Sequence, residues 1–198
     1  MSEEISVHLA PAAISMSPAA SRLRAGGVVV AGSVFVAVCA HLVLPLSFTP
    51  APLSMAPFAV LLLGLLLRPR LAAATLAAYL AEGAMGLPVF APNSPGGPAH
   101  LLGPTGGYLL AYPLAAGLIS YLWRRSGRGF AWAAVSATAG DLLILCCGGL
   151  WLSALTHGSV RAAMTLGVLP FLPGDVLKIT AAAGLAIGWE RWRRRRSA

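Results

Sequence analysis

The sequence predicts an all-α integral membrane protein, a bundle of six transmembrane helices with both termini cytoplasmic. Three observations carry this prediction. Of 198 residues, 58% are hydrophobic and 10% are charged, against roughly a quarter charged in an average soluble domain. Mean hydropathy is +0.79, and the apolar runs are long enough to cross a hydrocarbon core of about 30 Å. The 14 Lys and Arg residues fall in clumps separated by pairs of apolar segments, the pattern left when basic loops are retained on the cytoplasmic side. Arg22 and Arg24 precede the first run, Arg68 and Arg70 separate the second from the third, Arg124, Arg125 and Arg128 follow the fourth, and Arg191 with Arg193 to Arg196 ends the chain. Arg161 and Lys178 stand outside the pattern.

The same numbers exclude other classes. Gly and Pro, at 22 and 15 residues, fall short of collagen or low-complexity disorder. A net charge of +8 distributed as topological anchors leaves no soluble basic face, so no nucleic-acid partner is expected, whereas membrane lipid is. The 3 cysteines, Cys39, Cys146 and Cys147, lie in apolar runs and two of them are adjacent, which offers no disulfide framework.

Residues 1–25 contain Glu3, Glu4, Pro11 and Pro18 without helical periodicity and read as a flexible cytoplasmic leader. A six-helix membrane domain follows over residues 26–192, and residues 193–198 form a basic cytoplasmic tail. The first span is expected from Val28 to Leu46, ended by Pro45, Pro50 and Pro52. The second, Leu53 to Leu67, stops at the Arg-Pro-Arg of 68–70, and the third runs from Leu71 to Met85. An outside loop, Gly86 to Gly103, carries Pro88, Pro92, Pro95 and Pro98 and no Lys, Arg, Asp or Glu. The fourth span covers Pro104 to Trp123 and the fifth Phe130 to Leu155. Thr156 to Leu169 is an outside loop, and the sixth span, Pro173 to Trp192, places Trp189 and Trp192 where aromatic belts sit. Ser33 and Ala37, small and four apart, permit close approach of another helix.

Charge inside a membrane is expensive and therefore informative. Glu82, Asp141, Asp175 and Lys178 lie within the apolar runs. Pro173 suits a helix's first turn, and Asp175 then sits near the positive end of the backbone dipole. Three residues on, Lys178 shares its face. Lys178 offers three donors and Asp175 acceptors only, a set that fits a ligand with both a carboxylate and N–H groups. The second constellation is Gly86-Leu-Pro-Val-Phe90 with Gly103-Pro-Thr-Gly-Gly-Tyr108. Its glycines let backbone approach closely, and Thr105 and Tyr108 add hydroxyls. Phe90, Asn93, Thr105 and Tyr108 lie on the same expected side as Asp175 and Lys178, so one outward pocket uses them all. No P-loop is present, and no nucleophile, paired histidines or metal spacing points to an intramembrane enzyme acting through Asp141, Glu82 or Asp175. No catalytic residue, metal or cofactor is expected, and uphill movement of a ligand draws energy from a partner or an ion gradient.

Three ordered motifs carry a resemblance: Gly86-Leu-Pro-Val-Phe-Ala91, Leu102-Gly-Pro-Thr-Gly-Gly-Tyr-Leu109 and Gly167-Val-Leu-Pro-Phe-Leu-Pro-Gly-Asp-Val-Leu-Lys178. Over residues 28–190 the chain resembles the BioY family, the biotin-binding S components of energy-coupling factor (ECF) transporters. Phe48-Thr-Pro50 and Gly148-Gly-Leu-Trp-Leu152 resemble it as well. The resemblance implies a six-helix biotin-binding subunit of a vitamin importer in the bacterial cytoplasmic (inner) membrane. It also implies coupling to a transmembrane scaffold subunit and two cytoplasmic ATPase subunits. By position, Asp175 and Lys178 are expected to contact biotin's polar groups. Thr105, Gly106 and Tyr108 are expected to shape the pocket, with Phe90, Asn93 and Trp151 in its walls and Ser33 and Ala37 facing the scaffold. Where the family carries Gln or Asn after its Pro-Thr stretch, this chain reads Leu53-Ser-Met-Ala-Pro57, leaving Ser54 as the polar substitute. An S component for another small vitamin is the alternative, and self-association is left open.

Overall fold

The computed structural model describes residues 17–44, 53–92, 96–156 and 159–196. The chain is helical almost throughout. Helix α1 spans Pro18–His41 and leads into a short antiparallel hairpin, β1 (Val43–Leu44) with β2 (Leu53–Ser54), in the register Val43 opposite Ser54. Helices α2 (Ala56–Leu66) and α3 (Pro69–Ala84) follow, then the single turn α4 (Pro98–Leu101). The long helices α5 (Gly106–Arg125) and α6 (Phe130–Leu155) come next, then α7 (Val160–Gly167) and α8 (Leu172–Arg196).

Local chemistry explains the boundaries. The Ser17 side chain accepts from the amide of Ala20 at 3.2 Å, with Pro18 following in the first turn, a cap and a first-turn proline that together start a helix. Helix α1 therefore begins ten residues before the expected Val28, and the last part of the expected leader is helical. Pro69 starts α3 in the same way. The expected loop Thr156 to Leu169 contains α7, where the Thr156 hydroxyl bonds back to Leu152 and ends α6. Phe48-Thr-Pro50, Asn93 and most of the leader lie outside the described residues.

Much of the helical surface is apolar, unlike that of a water-soluble protein. Val30, Val34 and Val38 on α1, Leu110 and Leu114 on α5, Val135 and Leu142 on α6, and Val176, Leu177 and Leu185 on α8 are exposed. Fully buried positions include the large Tyr79, Leu61, Leu76 and Ile119 and, where helices cross, Ala59, Ala115, Ala116, Ala137 and Ala182. Large apolar residues outside and small residues at helix crossings suit a solvent of lipid tails. Helices Ala19–His41 and Phe130–Leu155 are long and apolar enough to cross a membrane, with mean hydropathies of 1.9 and 1.7. Helix α2 has 11 residues, about 16 Å at 1.5 Å per residue, and lies buried among the others, packing on α5, α8, α1 and α6.

The basic clumps gather at one end of the bundle. Arg68 joins α2 to α3, Arg124 and Arg125 close α5, and Arg193 lies late on α8. Arg68, Arg128 and Arg193 are within electrostatic range of Arg124. Arg128 Nη1 donates to Glu190 Oε1 at 2.6 Å, tying the α5–α6 turn to α8. The opposite end carries the start of α5 and of α8, where the candidate site lies.

Candidate ligand-binding site

At that end the helices part around a cavity of about 310 Å³, within the roughly 300–1,000 Å³ of small-molecule pockets. Every long helix contributes to its wall. Ala40 comes from α1, Tyr79 from α3, Tyr108 and Tyr112 from α5, Asp141, Ile144 and Leu145 from α6, and Asp175 and Lys178 from α8. Ser54 from β2 joins them, with Gly103, Pro104 and Thr105 of the glycine-rich loop.

Asp175 and Lys178 face each other on this wall. One turn apart in α8, they are close enough for Lys178 Nζ to donate to Asp175 Oδ1 at 3.0 Å, with side-chain exposures of 6% and 5%. The other carboxylate oxygen, Asp175 Oδ2, is buried with no hydrogen-bond partner among the described residues. Lys178 retains two N–H donors beyond the one it uses. A desolvated pair of this kind adds little to stability by itself, but it presents a free acceptor and free donors to whatever fills the cavity.

The glycine-rich loop is held over the same cavity by bonds the sequence did not reveal. Trp151 on α6 donates its indole N–H to the Gly103 carbonyl at 2.9 Å. The Tyr108 hydroxyl donates to the Gly167 carbonyl at the end of α7. Gly107 and Gly148 let α5 and α6 close up: a Cβ at Gly107 would overlap Trp151, and one at Gly148 would overlap the Tyr108 ring. Thr105 occupies the N-cap position of α5 without capping it through its side chain.

Four of the expected pocket residues, Asp175, Lys178, Thr105 and Tyr108, line the cavity. Three others stand behind its wall. Gly106 is buried against the Leu101 carbonyl and Trp151, and Trp151 is the strut just described. Phe90 is buried, stacked on His100 at 4.7 Å and edge-on to Tyr79 at 5.5 Å. These residues set the wall's position rather than its surface. Asn93 is outside the described residues.

Ser33 differs from its expected place on a partner-facing surface. It is fully buried, and its hydroxyl donates to Glu82 on α3 at 2.8 Å. The exposed side of α1 is formed by Val30, Val34 and Val38 instead, and Ala37 is half-buried. A four-residue spacing of small residues fixes a close approach but not which neighbour makes it.

Among the polar and titratable residues of the lining, Tyr79, Tyr112, His100 and Asp141 were not assigned to the site from sequence. The Tyr79 hydroxyl is buried with no partner among the described residues. His100, on α4 outside the long helices, lines the cavity, and burial pushes its imidazole below the ordinary value of 6.5. Asp141 carried a signal as an acid inside an apolar run. The tyrosines and His100 carried none, since aromatic residues in such segments are ordinary.

Known proteins share this chain's sequence pattern and fold. The chain is 40% identical over 140 residues to the probable biotin transporter BioY of Pyrococcus horikoshii, spanning 71% of this chain and 81% of that one. It is 38% identical over 138 residues to the biotin transporter BioY of Thermotoga maritima, spanning 70% of this chain and 80% of that one. Its fold matches a crystal structure of the S-component for biotin from an ECF-type ABC transporter, with a TM-score of 0.80, 23% identity, and coverage of 89% of this chain and 95% of that chain. Residues 13–195 match the BioY family. The chain belongs to the BioY family, and it is by that membership and its lipid-suited surface a membrane protein.

Proposed function

We propose that this chain is the biotin-binding, substrate-specific subunit of an ECF-type importer. Six helices, α1, α2, α3, α5, α6 and α8, run along the bundle, the 11-residue α2 inside it, and their even number sets both termini on the cytoplasmic side of the bacterial inner membrane. The gathering of Arg68, Arg124, Arg128 and Arg193 at one end supports that orientation. The pocket then opens outward, where it captures biotin for import. A transmembrane scaffold and two ATPase subunits supply the energy.

One observation carries the reading: a buried Asp175–Lys178 pair on a cavity wall beneath the Gly103–Tyr108 loop, with one Asp175 oxygen unpartnered. Biotin has a cyclic urea with two N–H groups and a carbonyl, a thioether ring and a carboxylate tail. Asp175 Oδ2 suits an N–H, Lys178 suits a carbonyl or carboxylate oxygen, and the aromatic wall of Tyr108, Tyr112 and Phe171 suits the apolar ring. The relatives quoted above carry the names of transporters, which agrees with binding and release rather than chemical conversion.

The test is direct binding with uptake beside it. Purified protein should hold biotin, and Asp175→Ala or Lys178→Ala should weaken binding by about 2 kcal/mol or more, because each leaves a desolvated polar group without its partner. Biotin affinity unchanged in both variants rejects the site. Cellular uptake should require co-expressed scaffold and ATPase subunits, and uptake without them rejects the proposed energy source.

A further inference from the structure

The pocket holds more acceptors than the α8 pair accounts for. Asp141 is 4% exposed, faces the cavity, and makes no hydrogen bond to a described residue. On α6 it lies about one turn from Ile144 and Leu145, toward the arginine-rich end of that helix. Asp175 and Lys178 are within electrostatic range of it, yet Lys178 is bonded to Asp175. Across the cavity, on α3, the Tyr79 hydroxyl is fully buried and without a partner among the described residues. Two carboxylates and one phenol are thus turned toward the same space with bonding capacity unused.

A buried polar group left in this state is costly unless something completes its bonds. The missing partner is defined by chemistry. Asp141 and Asp175 Oδ2 both need donors, while the Tyr79 O–H needs an acceptor. Two acids, Asp141 and Asp175, line the pocket against one lysine, an environment that disfavours the anionic end of a ligand beside Asp141. A planar group that carries two N–H donors and one carbonyl acceptor offers one partner to each of the three.

Resting on the biotin reading above, we propose that Asp141 is a further ligand-contacting residue, accepting one N–H of the bound cyclic urea. Asp175 accepts the other N–H and the Tyr79 hydroxyl donates to the carbonyl. Asp141 thereby selects for a ligand with two free N–H groups and turns the carboxylate tail toward the glycine-rich loop.

The experiment titrates biotin and its two singly N-methylated ureido isomers against the full chain in detergent, for wild type and for Asp141→Asn. Wild type should bind each methylated isomer at least tenfold more weakly than biotin. Asp141→Asn should bind biotin at least tenfold more weakly than wild type. For one isomer, the one whose methyl replaces the N–H that Asp141 holds, the variant and wild type should differ by less than threefold. Unchanged biotin affinity in Asp141→Asn overturns the proposal, and so does an equal loss for biotin and both isomers, which marks a purely structural role. Should Asp141→Asn fail to fold, the wild-type titrations decide alone: an isomer that binds as tightly as biotin overturns it. Wild-type protein that holds no biotin at all contradicts the functional reading itself, whereas normal wild-type binding with an unaffected variant contradicts the role of Asp141 alone.

Discussion

Two ion pairs among the described residues, Arg128–Glu190 and Lys178–Asp175, are made by the same helix, α8, and do opposite things. At its arginine-rich end, Arg128 and Glu190 meet at 2.6 Å with side-chain exposures of 42% and 20%. At its loop end, Lys178 and Asp175 meet at the longer distance of 3.0 Å with exposures of 6% and 5%. The shorter contact is the weaker one in energetic consequence, since water screens exposed charges and competes for them. The longer contact has no water to fall back on, so removing either partner strands a charge. Distance alone does not rank the pairs; desolvation does, and it also separates a topological anchor from a binding site.

That comparison can be broken by substitution. Lys178→Met alone should lower stability by roughly 3–5 kcal/mol, because Asp175 is left charged against an apolar wall. Asp175→Leu with Lys178→Met should recover the melting temperature of the wild type in detergent, while biotin binding stays lost. A double variant as unstable as the single one would mean the pair is structural. Next in size is Tyr108→Phe, which orphans the Gly167 carbonyl and should cost about 1–2 kcal/mol, read as faster amide exchange in residues 160–167. Its biotin affinity should change less than threefold, since that hydroxyl is already engaged by Gly167; a larger loss would put the hydroxyl on the ligand.

His100 sharpens the loop end further. Burial lowers its imidazole value below the ordinary 6.5, so its neutral form contributes stability that is fully present above pH 6.5 and lost as pH falls through the lower folded value. Thermal melts between neutral and mildly acidic pH should show this loss, and His100→Gln should remove that component. A melting temperature that drops identically in both proteins would assign the dependence to other groups. The smallest effect is expected at the other end: Arg128→Ala should change stability by less than about 1 kcal/mol, less still at high salt.

What was legible in the sequence follows the same division. Asp175 and Lys178 stood out because a charge in an apolar run needs a reason, and the helix period put them on one face. The glycines of 103–107 marked a close approach, which proved to be the crossing of α5 on Trp151. Trp151, Gly106 and Phe90 were expected at the pocket and stand behind its lining, because motif position does not say which side of a wall a residue occupies. For Ser33 the four-residue spacing predicted a tight contact, with internal packing favoured over a partner, and the contact is made inside the chain with Glu82; the scaffold-facing place came from the resemblance alone. Ser54, named from sequence as the polar substitute, does line the cavity, whereas Tyr79 reaches it only through the packing of α3, a long-range arrangement that local patterns do not encode. Helix α7 was hidden because eight residues with Arg161 and Gly167 read as polar loop, whereas its place is fixed by the Tyr108 bond to Gly167.

The decisive measurement is a biotin titration of the purified chain beside the Asp175→Leu, Lys178→Met double variant, both shown to be folded. Saturable binding by the wild type and none by the variant, at matched melting temperatures, is the expected result. Equal binding by the two proteins would contradict the central claim that this desolvated pair is where the vitamin is held.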